Sequence, residues 1–254
     1  MVDPGDGRLA GGDVGTGRMA EPADIVAAVT AVLAPGDLAG LTVLVTAGGT
    51  REPIDPVRFV GNRSSGKQGH ALAAEAAFRG ARVALVTTVN RPVAPEIETV
   101  LVETAADMEE AVFARAPDAD VVLMAAAVAD FRPKAAAPDK IKKADGVPEI
   151  LLEPTADILA ELGRRRRPGQ TLVGFAAETG DVRSYASSKL RAKGLDLVVA
   201  NDVSEPDAGF EHDTNRVLVL GPDGFEIEGS LMDKRAVARL VLDAVIDRRK
   251  SGER

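Results

Sequence analysis

The sequence of 254 residues contains no cysteine and no tryptophan, and it has one tyrosine and two histidines. Without cysteine the chain cannot form disulfides, thiolate zinc sites, iron–sulfur clusters or a cysteine nucleophile. His70 and His212 are far apart and have no metal-ligand neighbour four residues on, which disfavours a histidine-based metal centre. The lack of cysteine fits a reducing compartment, and we expect a cytoplasmic protein.

Charge and hydropathy disfavour two classes of partner. The chain has 31 Lys and Arg against 39 Asp and Glu, a net charge of -8, so its overall field does not favour nucleic acid or anionic membranes. No apolar run reaches the ~18 residues that a membrane-spanning helix needs. We therefore expect neither nucleic acid nor a membrane as partner, and an anionic substrate would need a local basic cluster.

The spacing of apolar residues predicts an α/β fold from about Leu41 onward. Apolar strand-like runs alternate with alanine-rich helical stretches, and the runs are apolar on both faces. This pattern predicts a doubly wound, Rossmann-like, mostly parallel sheet with helices on both faces. A β-hairpin around a Gly-Pro-Asp-Gly turn (216–228) and a final helix (234–249) are predicted at the end of the chain.

The first part of the chain has a different character. Residues 1–20 are rich in glycine and lack hydrophobic periodicity, which predicts a tail or linker, and a short helix follows from Glu21 to Leu33. We therefore divide the chain into a linker region, 1–37, and one domain, 38–254.

Two glycine-rich segments are candidates for ligand binding. The first strand runs into Thr46-Ala47-Gly48-Gly49-Thr50, a turn that either meets a ligand or is needed only for steric reasons. Pro53 and Pro56 interrupt the chain after this turn, and the second strand ends without an acidic residue. Both features argue against a dinucleotide-binding dehydrogenase.

The second segment, residues 61–68, resembles a P-loop, but Gln68 stands where a magnesium-binding hydroxyl is required, so we reject a P-loop NTPase. Ser64, Ser65 and Gly66 still open a helix whose free amides would bind an anion, together with Gly48. The alternative is that one of the two serines is only an N-cap.

Charged residues later in the chain are candidates for a polyphosphate site. Asp130 follows an apolar strand, and Lys140 begins a basic loop (residues 140–143) that would act as a lid over phosphates. Lys189 and Lys193 lie on one helical face. Each of these features also occurs on ordinary solvated surfaces, so both interpretations stay open.

Several strings in order resemble the phosphopantothenate–cysteine ligase (phosphopantothenoylcysteine synthetase) family, the ligase portion of a bacterial bifunctional coenzyme A biosynthesis protein. The resemblance runs from about Leu38 to the final helix. It rests on Thr-Ala-Gly-Gly-Thr-Arg-Glu-Pro-Ile-Asp-Pro-Val-Arg (46–58), Asn-Arg-Ser-Ser-Gly-Lys-Gln-Gly (62–69), Ala-Ala-Ala-Val-Ala-Asp-Phe (125–131), Lys-Ile-Lys-Lys (140–143), Gly-Phe-Ala-Ala-Glu-Thr (174–179), Lys189 with Lys193, and Ala-Asn-Asp-Val (200–203).

The resemblance implies a reaction in two steps. The carboxylate of 4′-phosphopantothenate attacks the α-phosphate of CTP, giving an acyl-cytidylate and pyrophosphate. The amine of L-cysteine then displaces CMP to form 4′-phosphopantothenoylcysteine. Mg²⁺ would accompany CTP, with its protein ligands unknown. Oriented amides and cations would carry most of the catalysis.

The resemblance also assigns roles to residues. Asn62 would hold the acyl intermediate, Arg58 would support its pocket, and Lys140 would neutralise phosphates as a third catalytic residue. The nucleotide-binding residues would be Met124, Ala125, Ala126, Asp130, Lys140, Ala156, Asp157, Ile158, Leu159, Phe175, Lys189 and Lys193. The family's Asn-Pro-Asp-Ile string is replaced by Thr155-Ala156-Asp157-Ile158, so the shape of this loop can differ from the family's.

The family is dimeric, so the resemblance implies a homodimer. Residues 15–22 resemble the end of the flavin-dependent decarboxylase domain that precedes the ligase in bacterial fusions, and the resemblance implies no flavin in this fragment. The main alternative is a non-catalytic nucleotide-binding module, and a dehydrogenase is a distant third possibility.

Overall fold

The computed structural model describes residues 2–8, 11–33, 36–178, 180–202 and 212–252. Thr179 and Val203, which end two of the strings that carry the resemblance, lie outside these residues. The helices are α1 (Pro22–Leu33), α2 (Lys67–Phe78), α3 (Ala105–Arg115), α4 (Ile158–Arg165), α5 (Val182–Ala192) and α6 (Lys234–Gly252). The strands are β1 (Gly5–Arg8), β2 (Val14–Arg18), β3 (Thr42–Ala47), β4 (Arg51–Pro53), β5 (Phe59–Gly61), β6 (Arg82–Thr87), β7 (Glu98–Leu101), β8 (Val121–Met124), β9 (Phe131–Pro133), β10 (Leu152–Pro154), β11 (Thr171–Glu178), β12 (Leu197–Asp202), β13 (Thr214–Asn215), β14 (Leu218–Leu220), β15 (Glu226–Glu228) and β16 (Met232–Asp233).

An eight-stranded sheet forms the centre of the domain, in the order β15-β14-β12-β11-β8-β3-β6-β7. The strands from β12 to β7 are parallel, and β14 and β15 add to the β12 edge in antiparallel fashion. The predicted doubly wound, mostly parallel sheet is confirmed, as is the predicted hairpin. The order of the strands reverses between β3 and β8, and ligands bind at such a switch point in open α/β sheets.

Both faces of the sheet are covered by helices. Val43 and Val45 of β3 lie in one buried cluster with residues of α2 and α6, whereas Leu44 lies in the other cluster with residues of α3, α4 and α5. Side chains alternate along a strand, so both faces of β3 are buried, which explains its continuous apolar run. Each fully buried Val or Leu contributes roughly 1.5–3 kcal/mol.

Helix α2 lies unusually close to the end of β3. Its N-cap residue, Gly66, adopts a left-handed φ of 74° that other residues rarely adopt. A Cβ atom added at Gly69 would lie 2.5 Å from the Cβ of Ala47 and 2.6 Å from the carbonyl oxygen of Thr46. The glycines therefore bring the first turn of α2 against the carboxyl end of β3, where the switch point lies.

In the described part of the chain, four two-stranded ribbons lie outside the main sheet: β1–β2, β4–β5, β9–β10 and β13–β16. Their strands are two to five residues long, too short for alternation to identify them from sequence. The ribbon β1–β2 lies in the glycine-rich segment that was predicted to be a tail. The loop between β9 and β10 carries Lys140.

Side-chain caps fix the starts of two helices, α4 and α5. Asp157 accepts from the amide of Ala160, so α4 begins at Ile158. Asp181 accepts from the amide of Ser184 and begins α5 at Val182. Among the described residues, each helix is too short or too polar to cross a membrane.

Candidate active site

A cleft with a volume of about 940 Å³ lies at the carboxyl ends of the parallel strands. It is lined by the loop after β8, the end of β11, the start of α2 and one side of α5. Most of the residues that the sequence predicted as a site line this one cleft: Asn62, Ser64, Ser65, Gly66, Met124, Ala125, Ala126, Asp130, Ala156, Asp157, Ile158, Leu159, Phe175, Lys189 and Lys193.

The loops after β3 and β8 are joined at the switch point. The amide of Ala127 donates to the carbonyl of Gly48 at 2.8 Å, and the amide of Thr50 donates to the carbonyl of Ala127 at 3.2 Å. The Thr50 hydroxyl in turn accepts from the amide of Ala129 at 2.9 Å. These bonds make a rigid floor under the cleft, continuous with the sheet.

Asn62 is held at the edge of this floor. Its Nδ2 donates to the carbonyls of Ala127 at 3.3 Å and Val128 at 3.1 Å. Gly49 permits this close approach, because a Cβ there would lie 2.5 Å from the Asn62 carbonyl oxygen. The carboxamide is thereby oriented by two backbone acceptors, and its Oδ1 carries the remaining acceptor capacity of the side chain.

The loop formed by Ser64, Ser65 and Gly66 leads directly into α2. The N-cap position belongs to Gly66, and α2 has no side-chain cap, so neither serine is its N-cap. The first amides of a helix without such a cap can donate to an anion. Gly48 lies behind this loop: a Cβ built on Gly66 would lie 3.3 Å from the Gly48 amide nitrogen. Gly48 thus supports the loop and is outside the lining of the cleft.

The other end of the cleft carries two lysines from α5. The ammonium of Lys189 donates to the carbonyl of Phe175 at 2.6 Å, and Lys193 forms an ion pair with Asp157. Burial lowers the pKa of Lys189; the nearby Glu178 carboxylate acts in the opposite sense. Burial acts to raise the pKa of Asp157, but the hydrogen bond from Lys193 and other contacts lower it overall. Both lysines line the cleft.

Thr155 joins two loops at the rim of the cleft. Its hydroxyl donates to the carbonyl of Ala129 at 2.5 Å, and its amide donates to the carbonyl of Asp130 at 3.0 Å. The loop before α4 is thereby tied to the loop after β8, and residues 156–159 remain in the lining of the cleft.

Arg58 and Lys140 lie outside the cleft lining. Arg58 forms an ion pair of 3.0 Å with the buried carboxylate of Asp55 and donates to the carbonyl of Ile141 at 2.5 Å. The amide of Ile141 donates to Asp55 at 3.2 Å. Burial acts to raise the pKa of Asp55, and the backbone amides of Val57, Ile141 and Arg58 lower it overall. Lys140 is exposed beside this anchor.

Comparison with known proteins identifies the family of this chain. A family model described as the DNA/pantothenate metabolism flavoprotein C-terminal domain matches residues 38–248. The chain belongs to this family. It is 47% identical over 263 residues to the coenzyme A biosynthesis bifunctional protein CoaBC of Mycobacterium tuberculosis (strain H37Rv), covering 97% of this chain and 63% of that relative.

Further relatives show how widely this domain is shared. The CoaBC protein of Bacillus subtilis is 45% identical over 261 residues, covering 100% of this chain and 64% of the relative. A cysteine/cysteine sulfinic acid decarboxylase from an unknown prokaryotic organism is 45% identical over 239 residues, covering 90% of this chain and 67% of the relative. The chain thus spans under two thirds of the length of its CoaBC relatives.

A solved structure supports the same assignment. The C-terminal domain of a CoaBC protein superposes with a TM-score of 0.71 at 42% identity, covering 85% of this chain and 99% of that one. The resemblance drawn from the sequence strings, to the C-terminal portion of a bifunctional coenzyme A biosynthesis protein, is confirmed.

Several residues of the cleft in this family member were absent from the sequence prediction. Gln68, Glu178, Asn201, Asn215 and Lys234 all line it. Asn201 lies in one of the strings that carry the resemblance, but no role was assigned to it. Asn215 and Lys234 lie in a short strand and at a helix start that carry no motif, so only the packing of the chain brings them to the cleft.

The described residues do not include a group of three or more His, Asp or Glu side chains that would hold a metal ion. Asp157 is already paired with Lys193, and Asp130 is exposed at the rim of the cleft. The described part of the chain thus presents no cluster of side chains that would by itself hold a metal ion.

Proposed function

We propose that this domain joins 4′-phosphopantothenate to L-cysteine in coenzyme A biosynthesis, using CTP and passing through an acyl-cytidylate. Pyrophosphate and CMP are the other products. The proposal is supported by the family, by the names of the relatives that cover most of this chain, and by the chemistry of the cleft.

The observation that carries the proposal is that one cleft holds a helix start for phosphates, a fixed carboxamide and two lysines. The start of α2, with Ser64, Ser65 and Gly66, would receive phosphate oxygens on its first backbone amides. Lys189, Lys193 and Phe175 would bind the nucleotide at the other end. Met124, Ala125, Ala126 and Asp130 would lie beneath it, and residues 156–159 beside it.

In the first step, a carboxylate oxygen of 4′-phosphopantothenate forms a bond to the α-phosphorus of CTP. The bond from that phosphorus to the bridging oxygen breaks, and pyrophosphate leaves with the electron pair. Both reactants are anionic, so the chain must hold them together against repulsion. Amides at the α2 start and nearby ammonium groups would offset this repulsion. Their effect is large because they are oriented before the reaction begins.

In the second step, the amine of cysteine attacks the acyl carbonyl, and CMP leaves as the amide forms and the amine loses a proton. Asn62 is placed for this step because its carboxamide is oriented by Ala127 and Val128 at the rim of the cleft. Its Oδ1 would accept a hydrogen bond from the incoming amine, whose proton would pass to solvent. An Nδ2 hydrogen released from a backbone carbonyl would donate to the acyl oxygen.

Lys140 would act from the adjoining basic loop (residues 140–143), and Arg58 would act by holding that loop. Because Arg58 fixes the loop at Ile141, the loop carrying Lys140 is tethered beside the cleft. We propose that Lys140 reaches the phosphates when its segment moves, as basic lids do in other enzymes.

A homodimer would complete the site, and the surface next to Arg58 supports this. Val57, Phe59, Phe131, Leu151 and Leu152 lie on or beside the small ribbons β4–β5 and β9–β10, and each is at least 50% exposed. Clustered exposed apolar side chains mark contact surfaces. We propose that this surface pairs with a second copy, in the cytoplasm, in a full-length protein fused to a decarboxylase domain.

The test is turnover by the purified domain with 4′-phosphopantothenate, L-cysteine, Mg²⁺ and either CTP or ATP. We expect cysteine-dependent CMP release, cysteine-independent pyrophosphate release in the first turnover, and preference for CTP. Nucleotide binding without pyrophosphate release would instead indicate a binding module. Release of CO₂ from cysteine without nucleotide would favour the activity named in the decarboxylase relative.

A further inference from the structure

The cleft has a basic corner, formed by Lys67 and Lys234. These are the first residues of α2 and α6, and both line the cleft. The Nε2 of Gln68 donates to the carbonyl of Lys234 at 3.2 Å, so the two helix starts lie side by side. Arg235 pairs with Glu75 at 3.3 Å. Further along, Arg79 at the end of α2 pairs with Asp243 of α6 at 2.7 Å, so the two helices run in the same direction.

Two helix N-termini at one corner concentrate positive potential. The end of a helix where amides are free disfavours cations and favours anions. Neither α2 nor α6 has an acidic residue in its first turn. Asp233 caps α6 by accepting from the amide of Ala236 at 2.7 Å, and the exposed Asp213 pairs with Lys67 at 2.6 Å.

Lys234 is nearly buried at this corner, beside a second lysine. Its residue is 9% exposed. Burial, followed by repulsion from Lys67, lowers the pKa of Lys234 to about 8, while Asp213 acts in the opposite sense. The other charged groups nearby are Asp233 and Arg235, which are engaged in the contacts above, and Arg91, which acts on Asp213.

An independent observation at the same corner comes from Asn215. This residue is 6% exposed and lines the cleft, yet its Oδ1 has no hydrogen-bond partner among the described residues. Buried carboxamides are normally satisfied. A half turn about the last side-chain bond would present the Nδ2 hydrogens to an anion instead.

We propose that Lys234, together with Lys67, binds the terminal phosphates of the nucleotide and holds the pyrophosphate as it leaves. The naming of a nucleotide rests on the proposed function. Lys67 directly follows the loop formed by Ser64, Ser65 and Gly66, so phosphates bound there extend into this corner. As the bond to the α-phosphorus breaks, the electron pair goes to pyrophosphate, and the two ammonium groups stabilise that charge.

The test compares Lys234→Met with Lys250→Met, which removes the same charge from an exposed position near the end of α6. Binding of inorganic pyrophosphate, CMP and 4′-phosphopantothenate is measured by calorimetry. We expect Lys234→Met to weaken pyrophosphate binding by about 10- to 100-fold, because one charge-assisted contact is lost. CMP and 4′-phosphopantothenate binding should stay within about twofold, and Lys250→Met should change none of the three affinities.

A second readout separates a charge effect from a structural one. An anion should raise the pKa of Lys234, so at pH 8 the wild type should take up roughly half a proton more than Lys234→Met on binding pyrophosphate. Buffers of different ionisation enthalpy report this uptake. Lys67→Met should also weaken pyrophosphate binding, and it provides the test if Lys234→Met does not fold.

Three results would overturn the assignment. The first is unchanged pyrophosphate affinity in folded Lys234→Met, or in Lys67→Met if the other variant does not fold. The second is an equal loss for CMP, which would indicate a general disturbance of the cleft. The third is a loss of affinity for 4′-phosphopantothenate alone, which would indicate that the corner binds the phosphate of that substrate. These binding measurements need no turnover, so a failure of ligation by the wild type would count against the proposed function separately.

Discussion

Arg58 and Ile141 are joined by a hydrogen bond of 2.5 Å from the guanidinium to the backbone carbonyl, although 83 residues separate them in sequence. Asp55 completes the contact by accepting from the amide of Ile141 at 3.2 Å and pairing with Arg58 at 3.0 Å. The loop that carries Lys140 is therefore anchored at the residue next to this lysine. Motion of Lys140 must either leave Ile141 in place or break this contact.

Replacement of Arg58 by Met should loosen the basic loop. The ion pair and the bond to Ile141 are lost, while three backbone amides still stabilise Asp55, so we expect a stability loss of about 1–2 kcal/mol. Amide exchange in residues 138–144 should increase, and ligation should slow by about tenfold or more. Arg51→Met, which removes an exposed arginine from the neighbouring strand β4, is the control. Unchanged exchange in the Arg58 variant would show that the anchor does not restrain the loop.

Lys140→Gln should slow the nucleotide-dependent first step and leave the fold intact. Lys140 is exposed, so its removal affects charge near the phosphates more than packing. Acyl-cytidylate formation, followed by pyrophosphate release in a single turnover, should slow by about 10- to 100-fold, whereas Lys134→Gln should behave like wild type. Normal pyrophosphate release in the Lys140 variant would remove this lysine from the proposed mechanism.

Asn62→Asp should separate the two steps. The carboxylate would face the carbonyl oxygens of Ala127 and Val128, to which Asn62 now donates, and so would lose both bonds and gain repulsion. We expect pyrophosphate release to persist while amide formation falls by about 100-fold or more. Asn90→Asp, on an exposed loop, controls for the added charge. Loss of pyrophosphate release with a normal second step would reassign Asn62 to nucleotide binding.

Arg79 should be important for stability and not for the chemistry. It is 5% exposed in its side chain and pairs with Asp37 at 2.5 Å and Asp243 at 2.7 Å, joining the chain before β3 to α2 and α6. Arg79→Met should lower the free energy of unfolding by roughly 3 kcal/mol, because a nearly buried ion pair is broken. Arg115→Met, which breaks an exposed pair, should change it by less than about 1 kcal/mol. Urea unfolding measures both.

The ion pair between Arg79 and Asp37 also predicts how stability changes with pH in the acid range. The hydrogen bond from Arg79 lowers the pKa of Asp37 below its ordinary value of 3.8. A lowered carboxyl pKa stabilises the fold above that ordinary value, and the stabilisation is lost as the pH falls through the folded-state pKa. Wild type should therefore lose stability relative to Arg79→Met below about pH 4. If the free energies of unfolding of wild type and Arg79→Met differ by the same amount from pH 7 to pH 2, this linkage is wrong.

Deletion of residues 1–20 should leave ligation almost unchanged. The predicted site residues begin at Gly48, and the ribbon β1–β2 holds few apolar side chains that would hold it against the domain. A deletion to residue 37 removes Asp37 and should lower the melting temperature, because Arg79 then loses a partner. A large loss of activity in the shorter deletion would mean that the first residues contribute to the site or to a dimer.

The sequence by itself determined the class of sheet and identified most of the residues that line the cleft. Both faces of β3 are apolar because both are covered, so its continuous run of Val and Leu already indicated a parallel, doubly wound sheet. The strings around Asn62, Asp130 and Lys189 were recognisable because each is a local run of residues. Their convergence followed from the rule that parallel strands present ligands at their carboxyl ends.

The tertiary structure alone decided which residues without a local pattern belong to the cleft and how the basic loop is held. Lys234 comes to Lys67 because α6 packs in parallel on α2, and Ile141 comes to Arg58 because Asp55 accepts from both. Neither contact can be recognised from a periodic pattern in the sequence. Each joins residues more than eighty positions apart, and each depends on a single side chain. Local spacing encodes which face of an element is buried; the partner that a single polar side chain meets is set by how the elements pack.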